Sequence, residues 1–258
     1  MKTNHRLGAV LALIAALMGI IVHFVLFLQW YHIGMGAESA EPGCEILLKY
    51  IHPGLAYLGI LGGVLFLVSA YGFWTRKSWA MLLSTMGIVM ALLASWFINV
   101  PFMAADLPPV YFTIFWPYLV IYFLLMRLVG HVSWSRTLLG LATGMAYITC
   151  FMNGVSSTSR IITVGAPIFV LVDGLHWVAA AAWAVVTVGL LLKPRDWQWL
   201  LGLTAGVLEL VVGIPLAFVT GAQLGRFSLF ALAPIICLGL VVVLLWPNLW
   251  NRLTGSTE

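Results

Sequence analysis

Residues 7–30 read LGAVLALIAALMGIIVHFVLFLQW, more than twenty consecutive positions without a formal charge. A helix rises about 1.5 Å per residue, so such a run covers a hydrocarbon core of about 30 Å. Lys2 and Arg6 precede it, giving the basic start of a secretory signal. The apolar stretch is longer than the core of a signal, which runs to about 15 residues, and it exits through Gln29-Trp30-Tyr31, an interfacial aromatic anchor. The reading is a retained first span.

The rest of the chain repeats this pattern. Of 258 residues, 63% are hydrophobic and 8% charged, with a mean hydropathy of +1.08, whereas soluble domains are about a quarter charged. Apolar runs bounded by charges, prolines and glycines predict eight transmembrane helices at about 7–30, 53–74, 79–104, 110–129, 136–157, 164–192, 198–221 and 226–247. The fold class expected is therefore all-α, a polytopic integral membrane helical bundle forming a single membrane domain over 1–258. Between the first two spans, residues 31–52 form the longest connection. It holds Glu38, Glu41, Pro42-Gly43, Cys44 and Glu45 and has room for a short helix over 44–51, before Pro53 opens the second span.

Cytoplasmic loops keep an excess of lysine and arginine. With the N-terminus inside, Lys2, Arg6, Arg76, Lys77, Arg127, Arg136, Lys193, Arg195 and Arg252 fall on the cytoplasmic side, against Lys49, Arg160 and Arg226 outside. Nine against three places both termini in the cytoplasm and suits a multi-pass protein of the plasma (inner) membrane. The same basic residues are scattered among short loops, so no nucleic-acid partner is expected; the expected partners are the lipid bilayer, a small-molecule or ion substrate, and other subunits of a membrane complex.

The two halves, 1–130 and 131–258, echo each other. Phe73–Trp79 (FWTRKSW) matches Leu192–Trp197 (LKPRDW), Trp116-Pro117 matches Ala233-Pro234, and Val100-Pro101 matches Ile214-Pro215. An even number of crossings would make these two parallel four-helix repeats, an arrangement found in transporters.

Ionisable groups at membrane depth cost about 2.5 to 3.5 kcal/mol on insertion scales, so each calls for a reason. Two formal charges lie well inside the spans, Asp173 and Glu209. Asp173 and His176 stand three apart and share a helix face, where contact would make a proton-exchanging pair. Gly174 beside them leaves room for a neighbouring helix or a ligand. Counting from Pro194, Glu209 and His176 come within one helical turn in depth if their helices form a hairpin. His23, Asn99 and Asn153 fall late in outward-running spans, with His32, His52 and Asp106 at or beyond the outer ends, as if lining one polar cavity open to the outside.

These residues support two functional readings. In the first, a small solute or protons bind or cross at Asp173, His176, Glu209, His23, Asn99 and Asn153. In the second, the chain is a membrane subunit of an electron-transfer complex that is non-catalytic or binds quinone or haem, with His23 and His176 as axial ligands if haem is the cofactor. Metal binding by His32, Cys44 and His52 matches no recognisable spacing.

Cys44, Cys150 and Cys237 are odd in number, and the last two read as small hydrophobes inside spans. Trp96, Trp116, Trp177 and Trp183 are deep enough to face a ligand or to pack, while Gly59, Gly62 and Gly63 form a face for close helix approach. There is no phosphate-binding Gly-rich loop with its lysine, no nucleophile elbow, no His-Glu-x-x-His and no Cys-x-x-Cys. No predicted span contains a lysine, which excludes a retinal Schiff base of the rhodopsin kind.

Overall fold

The computed structural model describes residues 3–39, 44–163, 165–225 and 227–255, which fold as helices and short connections with no strand among them. Lys2, Glu41, Pro42, Gly43 and Arg226, all used in reading the sequence, lie outside the described residues. Seven helices are long and apolar enough to cross a membrane, and an eighth if one bent pair is a single span. The protein is a multi-pass membrane helical bundle. Lipid explains the architecture: with no water to satisfy peptide groups in the hydrocarbon, each crossing must bond its backbone internally.

Contacts divide the chain into two compact units, Met1–Val132 and Ser133–Glu258. The first contains α1 (His5–Glu38), α2 (Cys44–Trp74), α3 (Ala80–Ala104) and α4 (Phe112–Val129). Each packs on the next, and α4 returns to α1, where the Tyr118 hydroxyl donates to the Ala15 carbonyl at 3.3 Å. In α1 the regular ladder gives way to a π turn over Met18–Val22. Inside that turn Gly19 meets Gly63 of α2 so closely that a Cβ on Gly63 would stand 2.8 Å from the Ile20 nitrogen. Gly62 meets Gly87 of α3 in the same way, so the glycine face of α2 does bring helices together.

Pro53 does not open the second span. The helix runs through it from Cys44 to Trp74, because a membrane helix tolerates one missing N–H when its neighbours hold it in place. The short helix expected over 44–51 is the start of α2, and Lys49 therefore rides on this helix, in its second turn and exposed. The first helix likewise extends past Trp30 to Glu38.

The second unit contains α5 (Trp134–Thr163), α6 (Pro167–Leu192), α7 (Asp196–Leu224), α8 (Leu232–Leu244) and the short α9 (Pro247–Thr254). Helices α5 to α8 pack in sequence, and α8 closes back on α5. Where one helix was expected over 226–247, a 3-10 turn at Leu229–Ala231 leads into α8, and the chain then bends by 100°. The indole of Trp199 donates to the Leu244 carbonyl at 2.7 Å, satisfying one of the carbonyls left open at the bend. Pro247, which has no N–H to offer the previous turn, starts α9.

Candidate functional site

Unit 2 has two apolar clusters. One contains Ala146, Cys150, Ala179, Trp183, Ala205 and Cys237; the other contains Phe169, Val172, Val212, Leu216 and Phe230. Along each helix a polar residue marks the seam between them: Asn153 follows Ala146 and Cys150 on α5, His176 separates Val172 from Ala179 on α6, and Glu209 separates Ala205 from Val212 on α7. All three polar side chains are fully buried.

They form one connected group. His176 Nδ1 lies 2.8 Å from Glu209 Oε2, a hydrogen bond or an ion pair according to where the proton sits. Asn153 Nδ2 donates to Glu209 Oε1 at 2.9 Å and to the Phe230 carbonyl at 3.1 Å, tying the carboxyl to the turn that leads into α8. One helical turn beyond Glu209, a Cβ on Gly213 would sit 2.6 Å from Oε1, so the bare glycine makes room for the carboxyl. His176 Nε2, Asn153 Oδ1 and Ser157 Oγ are buried without a partner.

His176 is thus paired with Glu209, not with Asp173 as the three-residue spacing suggested. Asp173 is half-buried and accepts from the Thr158 hydroxyl of α5 at 2.8 Å. Sharing a helix face allows contact; the nearer acid on α7 takes the imidazole instead. Gly174 makes no close approach: a Cβ there would meet nothing within 4 Å, and the position is exposed.

Unit 1 has its own buried polar group. His52 Nε2 and the Tyr111 hydroxyl are 2.8 Å apart, and the His23 ring lies 5.4 Å from that of Tyr111. Asn99 accepts from the Tyr111 backbone N–H at 3.0 Å and donates to the Ser95 and Trp96 carbonyls, closing the break in α3 against the start of α4. Both nitrogens of His23, and Nδ1 of His52, are buried and unpartnered. His32 and Asp106, expected to join this group, are exposed.

Of the outward polar residues, His23, His52 and Asn99 belong to unit 1 with Tyr111, and Asn153, His176 and Glu209 to unit 2. Of the two candidate haem ligands, His23 belongs to the first unit and His176 to the second. Among the described residues no three His, Cys, Asp or Glu side chains are grouped to hold a metal ion; the Cys44 side chain is outside that description. Tyr111, Thr158 and the Phe230 carbonyl gave no signal in the sequence, because their roles come from helix packing. Of the deep tryptophans, Trp183 is fully buried while Trp116 is mostly exposed.

Comparison of the chain with protein families, curated proteins and solved structures gives no match.

Proposed function

We propose that this is a proton-handling membrane protein in which the His176–Glu209 pair binds and releases a proton on its way across the bilayer. The observation that carries this reading is a fully buried acid–imidazole pair joined at 2.8 Å, whose far ring nitrogen, Nε2, has no partner. A proton on either member leaves the pair net neutral, so it moves between oxygen and nitrogen without exposing a charge to the low dielectric. Imidazole has two nitrogens, so it can receive a proton on one side and give it up on the other. Asn153 keeps the carboxyl facing the ring. Asp173 lies three residues nearer the start of α6, about 4.5 Å along the axis, and its half-buried carboxyl is the next stop towards the surface.

The basic residues support a plasma (inner) membrane location with both termini cytoplasmic, and the outer half of unit 2 as the side from which Asp173 is reached. Four membrane helices in unit 1, against three in unit 2 and a fourth if its bent pair is one span, together with the matching Trp/Pro/basic segments, support an internal repeat.

The test is proton flux in proteoliposomes under an imposed pH gradient, followed with an entrapped pH-sensitive dye. Wild-type protein is expected to dissipate the gradient, and Asp173→Asn to slow it about a hundredfold or more, the range of a single proton-transfer group. Vesicles no leakier than protein-free ones would sink the proposal.

The second reading, a haem- or quinone-binding subunit of an electron-transfer complex, draws on His23, whose two buried nitrogens are open to a ligand. A visible spectrum taken as isolated and after reduction separates the readings for haem. Proton handling alone expects no band; bound haem gives sharp bands that shift on reduction.

A further inference from the structure

When the His176–Glu209 pair gives up its proton, it becomes a carboxylate beside a neutral imidazole, a net negative charge in the buried seam of unit 2. The packed helices hold nothing to balance it. No lysine or arginine occurs at 137–159, 167–192, 196–224 or 232–244. Within those stretches the titratable side chains besides the pair are Tyr147, Cys150, Asp173, Asp196 and Cys237, none of which brings a positive charge. Cys150 and Cys237 are buried thiols in contact, with Sγ atoms 4.0 Å apart. An uncompensated charge at membrane depth is costly, so a pair that empties calls for a second cation.

Neutral oxygens for such a cation are in place. The Asn153 amide donates to Glu209 Oε1 and to the Phe230 carbonyl. A backbone carbonyl only accepts, which fixes the orientation of the amide, and Oδ1 is left buried without a partner. Ser157 stands one turn further along the same face of α5. Hydroxyls inside helices commonly donate back to the preceding turn, as Thr149, Thr158 and Thr187 do; Ser157 Oγ is buried and does not. Thr143 bonds with Thr187, and Thr158 with Asp173, so α5 and α6 run antiparallel in constant register. Ser157 therefore falls at the depth of Asp173, and the two free oxygens span the distance from His176 to that outer acid. Beside them the chain is interrupted by the turn at Leu229–Ala231 that offers the Phe230 carbonyl, the kind of broken helix at which membrane transporters hold sodium.

We infer that Asn153 Oδ1 and Ser157 Oγ, with the charge of Glu209, form a sodium site that fills when the pair releases its proton. One buried carboxylate supplies one negative charge, which suits a monovalent ion. Amide and hydroxyl oxygens are hard donors, suited to an alkali cation rather than to a transition metal. The exchange balances: one proton leaves, one sodium ion arrives, and the seam stays neutral. Proton and sodium therefore exclude each other, each lowering the other's affinity by the same factor.

This inference rests on the proton reading and names the ion that replaces the proton, but the site has a readout of its own, since sodium binding needs no transport. Equilibrium binding of radioactive sodium to the detergent-purified full chain is measured in choline chloride of constant ionic strength, in mildly alkaline and mildly acid buffer. Wild type is expected to bind one ion per chain in alkaline buffer, with a dissociation constant rising about tenfold per pH unit where the proton competes. Ser157→Ala is expected to weaken binding about tenfold, the loss of one charge-assisted contact, and Glu209→Gln to abolish it. Removing a hydroxyl that has no partner breaks no hydrogen bond, so Ser157→Ala should melt no lower than wild type without sodium, yet gain less stability when sodium is added. In proteoliposomes the pH gradient is expected to dissipate in sodium chloride and to persist in choline chloride. No bound sodium, as for two oxygens that hold only water, or equal binding in wild type and both variants, would overturn the site. Dissipation that is as fast in choline would overturn the exchange and leave the proton reading standing. Sodium binding with the expected variant losses but no dissipation in either salt would support the site and remove the proton reading.

Discussion

Glu209→Gln is expected to keep the fold and abolish proton movement, whereas Glu209→Ala is expected to lose much of the fold itself. Glutamine has the same shape, so its carbonyl oxygen still accepts from Asn153, as Glu209 Oε1 does at 2.9 Å. Its amide donates to His176 Nδ1 where a carboxyl oxygen stood 2.8 Å away. Every bond is replaced, but an amide neither takes nor gives a proton. Alanine removes the partner and leaves His176 Nδ1 unsatisfied at a position with no solvent exposure. Breaking a buried pair from one side costs about 3–5 kcal/mol. In a protein of this size that corresponds to a melting temperature lower by roughly 10 °C or more. Thermal melts in detergent and dye-reported flux in vesicles, run on the same two variants, separate the roles. Equal flux in Glu209→Gln and wild type would exclude Glu209 as a proton carrier, and an unshifted melt in Glu209→Ala would show that the pair contributes nothing to the fold.

The second large effect is expected at Gly63. A Cβ there would lie 2.8 Å from the Ile20 nitrogen and 3.0 Å from the Gly19 Cα, all backbone atoms of α1 that no rotamer change can clear. Gly63→Leu must therefore force α1 and α2 apart along a contact with no driving force beyond close packing, because lipid is as apolar as leucine. Overpacking of this kind costs about 3 kcal/mol at the upper end of its usual range. The melt should fall by roughly 10 °C, with much of the protein lost to aggregate in size-exclusion chromatography. Gly174→Ala is the control: nothing lies within 4 Å of its Cβ, and alanine gains about 1 kcal/mol in helix propensity. If the two glycine variants melt alike, close approach is not what holds these helices together.

These contrasts show which parts of the protein were legible before its structure. The membrane helices were, because lipid imposes length and apolarity directly on the residues. Proline was the exception: Pro53 reads as a helix start in a linear scan, yet α2 runs through it. At the site, counting depth along a hairpin brought Glu209 and His176 within one helical turn of each other, since rise per residue is fixed. The Asp173–His176 spacing misled because it fixes a shared face and not which acid the ring meets; that depends on how α7 docks against α6. Cys150 and Cys237, 87 positions apart, and Tyr111 beneath His52 were unreadable for the same reason, being products of packing between helices distant in sequence.

The π turn at Met18–Val22 determines how α1 can change over time. Such a turn is an ordinary helix carrying one surplus residue, taken up as a local widening. A single-residue deletion earlier in α1 would rotate all that follows by about 100° and turn His23 and Gly34, both buried, away from their neighbours. A deletion within the turn restores regular winding and leaves both flanks on their original faces. Along α1 the chain thus has one point at which its length is separable from its orientation, and that point lies against Gly63, immediately before the buried histidine.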